Sequence, residues 1–121
     1  MRKLLLADDS STARSIVERV LGDTYELAYE SSGEAALTTV KANPPDLIIL
    51  DLLMPGMDGF TVLKELKARN NTVPVLVLSA DIQNSTKERV LALGAVGIAY
   101  KPPRPDTFRK AVEDALSGAG L

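Results

Sequence analysis

Three acids stand at the ends of apolar runs in this chain. Asp8 and Asp9 directly follow the aliphatic residues Leu4–Ala7, and Asp51 follows Leu47–Leu50. Two carboxylates about 5 Å apart repel each other by roughly 3 kcal/mol at an effective dielectric constant near 20. Three ionised acids at one point would therefore raise a carboxyl pKa unless a cation compensates them. The pattern predicts a divalent cation held by oxygen ligands, and Mg²⁺ typically takes a few carboxylates plus a phosphate oxygen.

A hydroxyl and an ammonium group stand at two further run ends. Ser79 closes the run Val75–Ser79, and Lys101 follows Gly97–Tyr100. Carboxylates, a metal ion and a fixed lysine around one point suit phosphoryl transfer, where positioning and charge neutralisation provide most of the catalysis. Asp51 is the candidate nucleophile, and its product would be an aspartyl phosphate.

The composition excludes several other chemistries. The 121 residues include 14 basic and 16 acidic side chains, a net charge of −2, and neither Cys nor His. Disulfides, thiolate or imidazole catalysis and the usual zinc sites are therefore excluded, which leaves Mg²⁺, Ca²⁺ or Mn²⁺ among oxygen ligands. A strongly basic nucleic-acid footprint is absent. Apolar runs are too short for a membrane span or a signal peptide, so we expect no membrane association and a cytoplasmic setting.

Short aliphatic runs alternate with segments of helical period, which predicts five βα units and one parallel sheet. Asn43-Pro44-Pro45 ends the second helix, and Pro105 suits the first turn of the last one. We expect one domain over 1–121, with 117–121 as a tail or linker remnant. The predicted strands are Lys3–Ala7, Glu26–Glu30, Leu47–Leu50, Val75–Ser79 and Gly97–Tyr100. The predicted helices are Thr12–Leu21, a helix opened by a Ser31/Glu34 capping box and ending at Ala42, Gly59–Ala68, Ser85–Leu93 and Pro105–Leu116.

Each candidate residue also has an ordinary structural explanation. Asp8 or Asp9 could cap a helix, and Asp51 could cap the loop before the third helix. Ser79 could be a turn hydroxyl, Lys101 a solvated side chain, and Tyr100 a core residue at the sheet edge. Ligands of parallel α/β sheets bind beyond the carboxyl ends of the strands. The joint placement of these residues at strand ends favours a functional site.

Four segments, LLLADDSSTAR, DLIILDLLMPGMDGF, VPVLVLSA and GAVGIAYKP, resemble the receiver domain of bacterial response regulators, in particular its stand-alone chemotaxis type. The resemblance extends over essentially the whole chain. It implies a flavodoxin-like (βα)5 three-layer sandwich whose parallel sheet has strand order 2-1-3-4-5. The spacing of 22 residues between Ser79 and Lys101 agrees with that family's plan.

The resemblance implies a role for each matching position. Asp51 is the phosphorylated residue, and the remaining roles are metal binding, phosphoryl binding, switching and a cis peptide bond. Mg²⁺ would be held by Asp8 (mostly through water), Asp9, Asp51 and the Leu53 carbonyl, the phosphoryl group would be bound by Ser79, Ala80 and Lys101, Tyr100 would be the aromatic switch, and Pro102 would follow a cis bond.

The implied function is a phosphorylation-driven switch. A histidine kinase, a phosphotransfer protein or a small phosphodonor would supply the phosphoryl group. The chain would catalyse its own phosphorylation and dephosphorylation without being a turnover enzyme. Phosphorylation would change the face formed by the fourth helix, fifth strand and fifth helix. Because no effector domain is present in this sequence, we expect output through contact with a target protein rather than nucleic acid, and a homodimer through the fourth and fifth helices is compatible with the sequence.

The sequence departs from the family pattern at two positions. Pro103 follows Pro102, where a larger apolar residue is usual. Leu53, two residues after Asp51, cannot orient a hydrolytic water through its side chain, and Asp81 offers a carboxylate that would do so instead. We expect slow-to-moderate self-dephosphorylation.

Other functions fit less well. A haloacid-dehalogenase-type phosphatase needs a second acid where this chain has Leu53. A flavin carrier is disfavoured because Asp8 and Asp9 would repel the flavin phosphate and aromatic residues make up 4% of the chain. The P-loop motif is absent. A degenerate receiver that serves as a constitutive interaction module is the remaining alternative.

Overall fold

Five strands alternate with five helices in the computed structural model, which describes residues 1–118. All five predicted strands are present, and β3 extends one residue further than predicted, so that Asp51 is its last residue. The elements are β1 (Lys3–Ala7), α1 (Ser11–Leu21), β2 (Glu26–Glu30), α2 (Gly33–Ala42), β3 (Leu47–Asp51), α3 (Gly59–Ala68), β4 (Val75–Ser79), α4 (Asn84–Ala92), β5 (Gly97–Tyr100) and α5 (Pro105–Ser117).

The strands form one parallel sheet in the order β2-β1-β3-β4-β5. β3 and β4 are buried along their whole length, because helices cover both faces of the sheet. One core cluster joins the sheet to α2, α3 and α4, and a second joins it to α1 and α5. The predicted flavodoxin-like (βα)5 three-layer sandwich is therefore confirmed, and it places the carboxyl ends of all five strands at one edge.

Three helix starts differ from the sequence-based prediction. α1 begins at Ser11 rather than Thr12, after the N-cap Ser10. Ser32, not Ser31, is the N-cap of α2, and its hydroxyl accepts a hydrogen bond of 3.2 Å from the Ala35 amide. With that cap, Glu34 lies one position too early to close a capping box, so the predicted box was wrong. α4 begins at Asn84 rather than Ser85, after a Gln83 cap whose side chain makes no capping hydrogen bond.

The last helix extends one residue further than predicted, into the segment predicted to be a tail. α5 continues to Ser117, and Gly118 closes it with a φ of 80°, the left-handed conformation that glycine adopts without strain. The rest of the predicted tail, 119–121, lies outside the described residues. Within 1–118, none of the helices combines the length and apolarity that a membrane crossing requires.

Candidate functional site

Three carboxylates meet where β1 and β3 end. Ala7 and Leu50 are paired in the sheet, so the next residues, Asp8 and Asp51, emerge side by side. Asp8 is 2% exposed and Asp51 5% exposed, whereas Asp9 faces solvent. One carboxylate oxygen from each of the three acids lies within 4.8 Å of those from the other two. The structure thus brings together the three acids that the sequence singled out.

Helix capping does not explain these acids. Ser10 is the N-cap of α1, and its hydroxyl accepts a hydrogen bond from the Ala13 amide. Asp58 is the N-cap of α3 and accepts from the Thr61 amide at 2.8 Å. Asp8 instead accepts a hydrogen bond of 2.8 Å from the Ser10 amide through Oδ1, which leaves Oδ2 directed elsewhere. The capping alternative is therefore wrong for Asp8, Asp9 and Asp51.

Lys101 forms ion pairs with both buried acids. Its Nζ lies 3.0 Å from Asp8 Oδ2 and 3.3 Å from Asp51 Oδ1. Its backbone amide donates a 2.8 Å hydrogen bond to the Ser79 carbonyl, which fixes the start of the β5–α5 loop against the end of β4. The Lys101–Pro102 peptide bond is cis.

The described residues of the site include more acidic groups than basic ones. Burial raises the pKa of the Asp51 carboxyl, and the neighbouring Asp8 carboxylate raises it further, against the opposing effects of Lys101 and of the Leu53 amide. Burial acts to lower the pKa of the Lys101 ammonium, but its hydrogen bond to Asp8 and the charges of both acids outweigh burial and raise the pKa above its ordinary value. Within 1–118, one ammonium thus faces a cluster of three carboxyl groups.

These donors suit a hard divalent cation. All three are carboxylates, and no imidazole or thiolate ligand is available because the chain has no His or Cys. Asp8 Oδ2 is buried and, apart from the Lys101 ammonium beside it, has no hydrogen-bond partner. A buried carboxylate oxygen with spare acceptor capacity, next to a carboxyl whose pKa is raised, is an arrangement that a bound cation would stabilise.

A cavity of about 250 Å³ opens over the acids. Its lining residues come from the loops at the carboxyl ends of the strands: Asp9, Asp51, Leu52, Leu53, Phe60, Ser79, Ala80, Asp81 and Lys101. A larger groove of about 1000 Å³ lies between α2 and α3, but none of the three clustered acids lines it. The smaller cavity is therefore the candidate site.

The remaining predicted residues lie around this cavity. Ser79 is buried and is paired in the sheet with Tyr100, whose side chain is 38% exposed. Leu53 is 78% exposed at the cavity rim. Asp81 also lines the cavity, and its carboxylate accepts hydrogen bonds from the Thr86 hydroxyl at 2.6 Å and the Gln83 amide at 2.9 Å. Each Asp81 oxygen has one such partner and keeps further acceptor capacity, so its role in orienting a hydrolytic water stays a prediction.

Sequence reasoning did not identify Phe60. Its ring lines the cavity, and the Arg89 guanidinium of α4 lies 3.8 Å from the ring centroid. No motif marks this pair, because it depends on how α3 and α4 pack against each other.

Replacing Lys101 with Met should destabilise the protein by about 2 kcal/mol, because Asp8 and Asp51 would lose their shared cation while staying buried. The measurement is urea denaturation in EDTA. Lys110→Met is the matched control, since Lys110 pairs with Asp114 on the surface at 3.5 Å and should contribute less than about 0.5 kcal/mol. Equal losses in the two variants would contradict the assigned role of Lys101.

Comparison with known proteins agrees with this arrangement. Residues 4–113 match the family model described as the response regulator receiver domain. The chain is 35% identical over 115 residues to the transcriptional regulatory protein ZraR of Escherichia coli, covering 94% of this chain and 26% of ZraR. It is 39% identical over 105 residues to protein-glutamate methylesterase/protein-glutamine glutaminase 6 of Anaeromyxobacter dehalogenans, covering 84% of this chain and 30% of that protein. The chain thus spans under a third of either relative.

A solved structure matches over nearly its full length. The chemotaxis protein CheY4 of Vibrio cholerae superposes with a TM-score of 0.87 at 32% identity, covering 95% of this chain and 98% of that one. The matched fold, the family model and the cluster of acids at the carboxyl edge of the sheet lead to one conclusion. The chain belongs to the response regulator receiver domain family, the phosphoacceptor switches of two-component signalling.

Proposed function

We propose that Asp51 is the phosphoacceptor of this receiver domain. The observation that carries the proposal is the position of Asp51. It is the last residue of β3, within 4.8 Å of two other carboxylates and 3.3 Å from the Lys101 ammonium, and it borders an open cavity. Asp8 is buried against Lys101 and Asp9 faces solvent, so Asp51 is the acid best placed to react with a donor that enters the cavity.

In the proposed reaction an Asp51 oxygen attacks the phosphorus of the donor. The P–N bond of a phosphohistidine, or the P–O bond of a small acyl phosphate, breaks, and the leaving group takes the electron pair. The product is an acyl phosphate on Asp51. Lys101 is positioned to neutralise charge on the transferring group, because its ammonium already lies between Asp8 and Asp51.

The cofactor we propose is Mg²⁺. Asp9, Asp51 and the Leu53 carbonyl would hold it, with Asp8 acting mostly through a bound water. When bound, Mg²⁺ supplies positive charge at the phosphoryl oxygens. The protein contributes the fixed positions of the acids, since Asp8 and Asp51 follow directly from paired strands.

The proposed response to phosphorylation starts at the end of β4. Ser79 and Ala80 would bind a phosphoryl oxygen, and Tyr100 would turn inward as the Ser79 hydroxyl moves. Ser79 and Tyr100 are neighbours in the sheet register, which gives a direct route from the cavity to β5. The phosphoryl group would then bias an existing two-state equilibrium of the face formed by α4, β5 and α5.

The proposed partners are a sensor histidine kinase or phosphotransfer protein and a downstream target protein, with a homodimer as an additional option. Residues 1–121 would form one receiver domain that catalyses only its own phosphorylation and dephosphorylation. The cytoplasmic setting and the slow-to-moderate dephosphorylation stay predictions.

The test is intact mass after incubation with acetyl phosphate, in Mg²⁺ and in EDTA. We expect a gain of one phosphoryl group in Mg²⁺, little gain in EDTA, and loss of the group in hydroxylamine, which cleaves acyl phosphates but spares phosphoesters. A gain that resists hydroxylamine would place the phosphoryl group on a hydroxyl residue. No gain in either condition would favour a degenerate receiver that acts as a constitutive interaction module.

A further inference from the structure

The hydroxyl of Ser79 is connected to α4 by a run of hydrogen bonds. Ser79 Oγ accepts a 3.0 Å hydrogen bond from the Asp81 amide. Asp81 Oδ2 accepts a 2.6 Å hydrogen bond from the Thr86 hydroxyl, and Oδ1 accepts from the Gln83 amide at 2.9 Å. The end of β4 and the first turn of α4 are therefore joined through one residue, Asp81, whose amide bonds to Ser79 and whose carboxylate bonds to Thr86.

This connection replaces the cap that α4 lacks. α1, α2 and α3 each begin with a side chain that accepts a backbone hydrogen bond, but the Gln83 cap of α4 makes none. The first main-chain hydrogen bond of α4, from the Lys87 amide to the Gln83 carbonyl, is 3.3 Å long. Thr86 is buried beneath this turn, so its hydroxyl bond to Asp81 is a main restraint on the start of the helix.

The later part of α4 packs against α3 instead. The Arg89 guanidinium stacks on Phe60 at 3.8 Å, and Lys67 Nζ donates a 3.2 Å hydrogen bond to the Ala92 carbonyl near the helix end. Val90 is fully buried in the core. A movement of the Ser79 hydroxyl would thus affect mainly the first turn of α4, which is held by polar contacts to Asp81.

We propose that Asp81 and Thr86 are positioning residues that transmit the state of the Ser79 hydroxyl to the first turn of α4. The inference rests on the proposed phosphorylation of Asp51. When Ser79 Oγ turns to donate to a phosphoryl oxygen, it no longer faces the Asp81 amide. The Asp81 loop then relaxes, and the Thr86 hydroxyl bond that its carboxylate holds is weakened. Phosphorylation therefore loosens the start of α4 while its later turns stay packed on α3.

The test measures the rate of amide hydrogen exchange at Lys87 by NMR. It is done with and without beryllium fluoride plus Mg²⁺, which together mimic an aspartyl phosphate. In the wild type we expect the mimic to speed exchange about tenfold, the effect of losing roughly one hydrogen bond. In Thr86→Val, exchange should be fast in both conditions, with a difference below about twofold. Thr86→Ser keeps the hydroxyl and should restore the response.

Ser85→Ala is the matched control on the same turn, because the Ser85 hydroxyl makes only a 3.5 Å contact with the Gln83 side chain. It should respond as the wild type does. A purely structural role for Thr86 predicts faster exchange in both conditions with the tenfold difference intact, and that result would overturn the proposal.

Phosphorylation of each variant by acetyl phosphate, read by mass, separates the two proposals. If the wild type gains a phosphoryl group normally but the mimic leaves the Lys87 exchange rate unchanged, only the role of Asp81 and Thr86 is overturned. Absence of phosphoryl gain in the wild type would overturn the proposed function and this inference together.

Discussion

Asp51→Asn should eliminate phosphoryl incorporation from acetyl phosphate in Mg²⁺. The asparagine amide lacks the carboxylate nucleophile, whereas Asp8 is held by the Ser10 amide and Lys101 and is not placed to substitute for it. Intact mass after incubation gives the result directly. Asp23→Asn is the matched control, since Asp23 is an exposed acid in the turn between α1 and β2, at the opposite edge of the sheet. A full phosphoryl gain in the Asp51 variant would place the phosphoacceptor elsewhere.

The same substitution should stabilise the metal-free protein. The Asp51 charge is disfavoured by burial and by Asp8, while Lys101 keeps its ion pair with Asp8 when Asp51 is neutral. We expect the free energy of unfolding in EDTA to rise on the order of 1 kcal/mol at pH 7. A single change that abolishes phosphorylation and increases stability would identify Asp51 as a functional acid that the fold does not need.

The gain in unfolding free energy expected for Asp51→Asn should depend on pH in a definite direction. Because the folded-state pKa of Asp51 is raised above 3.8, the folded state binds this proton more tightly than the unfolded state does. The destabilising effect of Asp51 is fully present above the folded-state pKa and is relieved as the pH falls towards 3.8. The stability difference between variant and wild type should therefore narrow on acidification. Urea denaturation at several pH values checks this, and a variant less stable than the wild type at pH 7 would contradict it.

The positions of β1, β3 and β4 were predictable because burial on both faces demands continuous aliphatic runs, which few other elements of this length contain. Helix starts were less predictable, because neighbouring hydroxyl residues compete to be the cap. Ser31 and Ser32 are chemically equivalent in this respect. With Ser32 as the cap, Gly33 packs closely against α3, and a Cβ atom there would lie 2.7 Å from Val62 Cγ2 and 2.9 Å from the Met57 carbonyl oxygen. The register of α2 is thus consistent with its close approach to α3, which no local pattern encodes.

The candidate site was predictable to the extent that its residues follow strands. The acids, Ser79 and Lys101 all occupy the carboxyl edge because the chain must leave each parallel strand there. Two adjacent acids that look alike in sequence differ in burial, because Asp8 packs against Lys101 whereas Asp9 faces solvent. The direction of the Asp81 carboxylate was not predictable, since it depends on where the first turn of α4 places Thr86.

Gly59→Ala should have the largest combined effect on fold and site. Gly59 is the first residue of α3, and its amide donates a 3.0 Å hydrogen bond to the Leu52 carbonyl. A Cβ atom at this position would lie 2.4 Å from the Asp51 carbonyl oxygen and 2.7 Å from Leu52 Cα. Both are backbone atoms, so the clash cannot be relieved by rotating a side chain. We expect a loss of about 3 kcal/mol in unfolding free energy, and a roughly 100-fold slower phosphorylation if Asp51 shifts by about 1 Å.

Gly33→Ala separates the two effects of Gly59→Ala. A Cβ atom on Gly33 is crowded to a similar degree, but by Val62 and Met57 at the contact between α2 and α3 rather than by Asp51. It should cost comparable stability and leave the phosphorylation rate within about threefold of the wild type at a temperature where both variants are folded. If both glycine variants slowed phosphorylation equally, general loosening of the fold would explain the loss. If phosphorylation slowed in Gly59→Ala but not in Gly33→Ala, the close backbone approach of α3 to β3 would be what fixes the position of the proposed nucleophile.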